Sequence, residues 1–176
     1  MKLQIGAGPS LPTDDPIDLL LDCHVRIRHF TALATALAGA GQAAAAHRVD
    51  AANGLARYFG VAFPLHGADE EELLAPVLRR SADPEVLRAV ESVPGDHRAA
   101  DALLEILLPT WRAIAASPDG GPALLDRLNE PSAHLRSHLA EHLALEEALL
   151  FPEARRLLDP AEARALREAM AEKRLR

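Results

Sequence analysis

The sequence predicts an all-α fold: an antiparallel up-down four-helix bundle with an additional C-terminal helix. Three observations carry this reading. Leu and Ala supply most of the apolar residues, and aromatic residues make up only 3% of the 176-residue chain, a balance that favours helices over strands. Apolar positions recur at helical spacing through several long stretches. No stretch keeps the strict alternation of a half-buried strand.

The elements follow in order. Residues 1–13 mix Gly, Pro and Ser without periodicity and read as a flexible lead-in. Asp14 or Asp15 can cap a first helix with Pro16 in its first turn. Its stripe of Ile17, Leu20, Leu21, His24, Ile27 and Thr31 runs on to about Ala38, where Gly39 and Gly41 end it. A second helix spans roughly 43–80, with a kink or break near Gly60 and Pro64. Pro84 suits the first turn of a further helix after Asp83. A break is expected at Pro94–Gly95, with a third long helix from about Asp96 to Ala115. The run SPDGGP reads as a loop, followed by a short helix over 122–129. A fourth long helix begins near Pro131, capped by Asn129 or Glu130, and reaches about Leu158. Asp159–Pro160 then starts a last helix over 160–173. The expected organisation is a lead-in at 1–13, a bundle at 14–158 and a C-terminal helix at 159–176.

Composition excludes several functions. The net charge of -7 repels phosphate backbones, so no nucleic-acid partner is expected. No basic amphipathic face or long apolar run points to a membrane. The single cysteine, Cys23, excludes an internal disulfide framework, a four-Cys zinc site and a four-Cys iron–sulfur cluster. The first twelve residues lack a signal-peptide pattern, so a cytoplasmic location is expected. Eight histidines stand against two lysines, and that surplus needs a purpose.

An internal repeat supplies one. Residues 66–80 read HGADEEELLAPVLRR and residues 142–156 read HLALEEALLFPEARR, identical at nine of fifteen positions without a gap. Each copy has an upstream histidine: His24 precedes His66 by 42 residues, and His97 precedes His142 by 45. Two like halves imply pseudo-two-fold symmetry. Residues four apart on a helix share a face, so His66 and Glu70, and likewise His142 and Glu146, can reach a common metal or a pair of adjacent metals. Four His and two Glu exceed the four ligands of a structural zinc. They suit two metals, each taking two His, with Glu70 and Glu146 bridging. Water, hydroxide or oxo would complete such a centre and leave positions for an outside ligand. Imidazole suits Fe, Zn, Ni and Cu alike, so the residues alone leave the metal open. Ferritin-like di-iron bundles use Glu-x-x-His, the reverse order at a shorter spacing.

The segments DCHVRIR (22–28), HGADEEELLAP (66–76), GDHRAAD (95–101) and HLALEEALLFPEA (142–154) closely resemble the hemerythrin-like family, the HHE cation-binding domains. The resemblance implies a four-helix bundle around a non-haem di-iron site. Its ligands would be His24, His66, Glu70, His97, His142 and Glu146, with both carboxylates as bridges. Oxygen-carrying hemerythrins have a fifth His and an Asp in place of the second Glu. This chain is more similar to the bacterial four-His, two-Glu branch, which includes di-iron proteins of nitrosative-stress defence and iron-sensing domains. The stress-repair proteins usually carry a further Cys-containing N-terminal domain, which residues 1–13 do not supply.

The other polar residues have less distinctive spacing. His138, one turn before His142, reads as pocket-lining or as a half-buried polar residue. Asp101, four after His97, can orient that imidazole or stand as a surface acid. Glu71 and Glu147 sit about 100° from the site's face and read as solvated or Arg-paired acids. Cys23 reads as a buried inert thiol, Trp111 as core, and Tyr58 and Phe59 as core, with a Tyr58 hydrogen bond near a bridging oxygen as the alternative. His29 and His47 read as surface, and His134 is too far round its helix to share the face of Glu146. Three functions fit. One is a di-iron protein that binds or reduces O2, NO or peroxide. Another is an iron or oxygen sensor, or an iron-handling protein, without turnover. The third is a bundle with structural zinc.

Overall fold

The computed structural model describes residues 15–117 and 119–174. The expected lead-in at 1–13, and Asp14 as a cap, lie outside these residues. Helix α1 (Pro16–Ala38) starts on the Asp15 side chain, which accepts the Ile17 N–H at 2.9 Å. Its buried face carries Ile17, Leu20, His24, Ile27, Thr31 and Ala34, with Leu21 of the expected stripe half-buried at the margin.

Helix α2 is a continuous rod over 45–78 in which α-helix alternates with two wider π turns. The α segments are Ala45–Arg57, Phe63–Asp69 and Ala75–Leu78, and the π turns are Tyr58–Ala62 and Glu70–Leu74. The interruption expected near Gly60 and Pro64 is the first of these turns. Helix α4, over 129–157, has the same build, with a π turn at Glu146–Leu150 between Asn129–Leu145 and Phe151–Leu157. Each π turn is closed by the residue that precedes a proline. Phe63, Ala75 and Phe151 donate their N–H five residues back, to the carbonyls of Tyr58, Glu70 and Glu146. A proline ring collides with the carbonyl four residues earlier. One extra residue in the turn moves that carbonyl aside, so the helix passes Pro64, Pro76 and Pro152 without breaking.

Helix α3 (Pro84–Ala116) departs from expectation. It runs unbroken through Pro94 and Pro109, so no new helix begins at Asp96. Local Pro-Gly propensity costs about 3 kcal/mol or more here. Packing outweighs it, because Val86, Ala89, Val90, Val93, His97 and Ala100 are buried on both sides of the proline. Helix α4 likewise starts at Asn129, directly from a 3₁₀ segment (Pro122–Leu128), with no side-chain cap. Helix α5 (Pro160–Lys173) has the capping box of Asp159 and Glu162.

Helix α1 packs on α2 and α4, and α3 packs on the same two, closing a four-helix ring. Short connections make successive helices antiparallel. The core is split in two. One cluster holds Ile27, Phe59, Leu104, Trp111, Leu135 and Leu139. The other holds Leu20, Leu74, Leu78, Val90, Leu150 and Phe151, with Met170 of α5 against it.

At one end of the bundle, buried Arg48 gathers two loops. Its guanidinium donates to the carbonyls of Gly120 at 3.1 Å and Asp119 at 2.6 Å, and also to that of Ala43. Gly120 has φ +68°, and a Cβ there would sit 2.9 Å from the Ala45 carbonyl oxygen. Gly120→Ala should therefore lower unfolding free energy by about 1–3 kcal/mol, read as a lower urea midpoint with unchanged slope. An unchanged midpoint would contradict this account of the loop.

Candidate metal centre

The gap between the two apolar clusters is filled by six polar side chains. His24 lies between Leu20 and Ile27 on the buried stripe of α1, and His97 between Val93 and Ala100 on that of α3. His66 and Glu70 are one turn apart on α2, as are His142 and Glu146 on α4. All six expected residues meet here. Glu70 Oε1 lies 3.1 Å from His66 Nε2 and 3.9 Å from His24 Nε2, and its Oε2 lies 3.2 Å from His97 Nε2. Glu146 Oε2 lies 3.2 Å from His24 Nε2, and its Oε1 3.3 Å from His142 Nε2. Each carboxylate thus turns one oxygen towards the His24–His66 pair and the other towards the His97–His142 pair. Ligand atoms of His24, His66, Glu70 and Glu146 lie within 4.8 Å of one another, and so do those of Glu70, His97, His142 and Glu146.

Glu70 and Glu146 each open a π turn, so the helix stays regular from the histidine to its glutamate and widens just beyond. The inward atoms are unsatisfied. All four Nε2 atoms, both Glu70 oxygens and Glu146 Oε2 are buried without a hydrogen-bond partner. Each such orphan costs about 1–3 kcal/mol. Cations shared between the two clusters would satisfy all of them together, so this donor set fits a pair of metal ions.

A second layer holds the rings from behind. His24 Nδ1 donates to Glu147 Oε1 at 2.8 Å, and Arg28 grips both Glu147 oxygens at 2.8 and 2.9 Å. His97 Nδ1 donates to Glu71 Oε1 at 2.6 Å. His142 Nδ1 lies 3.6 Å from Asp96 Oδ2, a charge contact beyond hydrogen-bond range. Glu71 and Glu147 do turn away from the site along their own helices, and Glu147 is Arg-paired as expected. The same turn points them at the neighbouring helix, where they support its histidine. The in-register Glu-Glu pairs at 70–71 and 146–147 are the sequence signal for this. Asp101 is exposed, the surface acid of its two readings, and Glu71 takes the place behind His97.

His138 Nε2 donates to the Asp96 carbonyl at 2.8 Å, tying α4 to α3 beside His97. His29, His47 and His134 are exposed. Tyr58 stacks on Phe30 at 3.9 Å within the core, and burial pushes its phenol up. Trp111 stacks on Phe59 at 5.5 Å. Cys23 is buried and belongs to neither ligand cluster.

The electrostatics divide the six. Burial alone would lower His24 and His97. The carboxylates outweigh it, Glu146 and Glu70 for His24 and Glu70 and Glu71 for His97, and hold both near 9. Burial pushes His66 down to about 4 and lowers His142. Burial also opposes the charge on Glu70, but His66, His24 and His97 more than compensate and hold it below the ordinary range. Glu146 is pushed up, by burial and then by the charge on Glu70.

A helical bundle with inward histidines and two carboxylates common to both clusters is a cation-binding bundle. Residues 15–154 match the hemerythrin HHE cation-binding domain, and the chain belongs to that family. It is similar to the iron-sulfur cluster repair proteins YtfE of Escherichia coli O81, of Escherichia coli O1:K1 and of Escherichia fergusonii. Each is 27% identical over 92 residues, which cover 51% of this chain and 40% of the relative. The match thus spans less than half the length of those relatives.

The metal-free protein should lose stability as pH rises. His24 and His97 bind protons more tightly folded than unfolded, so their contribution is full below about 6.5 and disappears as pH passes about 9. Thermal melts of metal-free protein should show Tm falling by several degrees across this window. A flat or rising Tm would refute the assignment.

Proposed function

We propose that the chain is a non-haem di-iron protein that binds or reacts with a small oxidant, O2, NO or peroxide. The observation that supports this best is the division of both carboxylates between two histidine pairs. In this reading His24 and His66 hold one ion and His97 and His142 the other, while Glu70 and Glu146 reach both. When bound, such a pair supplies redox equivalents and coordination positions open to an outside ligand.

The chain's own residues prepare the site. Glu147 and Glu71 accept the Nδ1 protons of His24 and His97, which fixes each ring with its Nε2 lone pair inward. Arg28 keeps Glu147 in place. A cavity of about 10 Å³ touches both Glu70 and Glu146 and is otherwise walled by apolar side chains such as Leu74, Leu78, Val93 and Leu150. That is room for about one water-sized guest, and such walls favour a neutral diatomic over an ion. The similarity to proteins named for iron–sulfur cluster repair favours iron, and the resemblance to the bacterial four-His, two-Glu branch favours a role in nitrosative stress. Among the described residues no helix is long and apolar enough to cross a membrane.

Elemental analysis of protein from its native host should find two irons per chain, and NO or O2 added to the anaerobic ferrous protein should change its visible spectrum. Glu146→Ala should reduce bound iron to one ion or fewer. Native protein dominated by zinc, or iron-loaded protein whose spectrum ignores both gases, would overturn this reading in favour of a structural or iron-handling role.

A further inference from the structure

The inner donors treat the two histidine pairs alike. Glu70 approaches His66 and His97 at 3.1 and 3.2 Å, and Glu146 approaches His24 and His142 at 3.2 and 3.3 Å. The groups behind the rings do not. Behind the His24–His66 pair, Glu147 accepts the His24 Nδ1 proton at 2.8 Å, and the Arg28 guanidinium grips both oxygens of Glu147. The two charges cancel. His66 Nδ1 is buried without a hydrogen-bond partner, so no group of the chain fixes which nitrogen of that ring carries the proton. Behind the His97–His142 pair, Glu71 accepts the His97 Nδ1 proton at 2.6 Å, and Asp96 Oδ2 lies 3.6 Å from His142 Nδ1. Among the described residues, neither Glu71 nor Asp96 has an ion pair with Arg or Lys. One end of the centre therefore faces two uncompensated carboxylates, and the other faces none.

We infer that the two ends differ in affinity: a first divalent cation settles on His97 and His142, drawn by Glu71 and Asp96, and only a second fills the His24–His66 end. This rests on the dinuclear reading of the centre. Attraction between a carboxylate and a divalent ion is twice that to a single charge, and Arg28 removes it at the His24 end alone. A carboxylate behind an imidazole also makes the ring a more basic ligand. His97 and His142 each have one, whereas His24 shares its own with Arg28 and His66 has none. Glu71 and Asp96 belong to neither ligand cluster. They are positioning residues that act through the rings.

Stepwise addition of Zn2+ to the metal-free chain, followed by the imidazole NMR signals of the four histidines, reads the order directly. At one equivalent, His97 and His142 should reach their bound positions with His24 and His66 about tenfold less occupied. Glu71→Gln combined with Asp96→Asn keeps an acceptor beside each ring and removes both charges, so the preference should vanish. Arg28→Gln bares the charge of Glu147 and should narrow the preference from the other end. It leaves the His97 side untouched and tests the same cause if the double variant does not fold. Wild-type rings that respond in step up to two equivalents, or His24 and His66 leading, would overturn the unequal loading. A preference unchanged in either variant would overturn its assignment to these charges. Saturation at one Zn2+ per chain would instead overturn the dinuclear reading beneath it.

Discussion

The sharing of Glu70 and Glu146 between two histidine pairs is the constraint that the rest of the molecule answers to. Two carboxylates at 3% and 1% exposure cannot be buried in a Leu/Ala interior without partners. The partners come from all four helices: His24 from α1, His66 from α2, His97 from α3 and His142 from α4. Each helix must therefore present one histidine at the same level. The apolar core accordingly divides above and below that level, and both clusters are built from the same continuous helices.

Around this layer the chain uses one device twice. In each repeat the first glutamate of a Glu-Glu pair points into the centre and the second points across to a neighbouring helix. The π turn that begins at the first glutamate accommodates the proline six residues later. A short stretch of α2 thus provides a ligand candidate, support for a ring on α3 and a passage around Pro76. A matching stretch of α4 does the same for α1 and Pro152. The symmetry ends at the outer nitrogens of His142 and His66. Asp96 stands near the first, and among the described residues the second has no such partner.

The six-residue set was legible because it is doubled: a lone His-x-x-x-Glu pair carries little information, whereas two in register with matched upstream histidines carry much. The four-helix architecture and the bounds of α1 and α5 were legible from stripes and caps close in sequence. The unbroken course of α3 through Pro94 was not, because local propensity opposes it and only packing from both sides decides. The supporting roles of Glu71 and Glu147 were hidden for a related reason. A helical wheel describes one helix at a time, and these acids act on the next one. Lys173 Nζ lies 3.7 Å from buried Asp69, yet the two are far apart in sequence and no periodicity links them.

The split core also settles how the helices are aligned lengthwise. Apolar layers of Leu and Ala tolerate sliding, since one small aliphatic side chain substitutes for another at modest cost. The polar layer does not. A slip of one turn in any helix would set a leucine against a carboxylate and leave a histidine among aliphatic side chains, a mismatch of several buried polar groups at once. His24, His66, His97 and His142 therefore serve as a vernier for the bundle, fixing the register of four otherwise interchangeable rods.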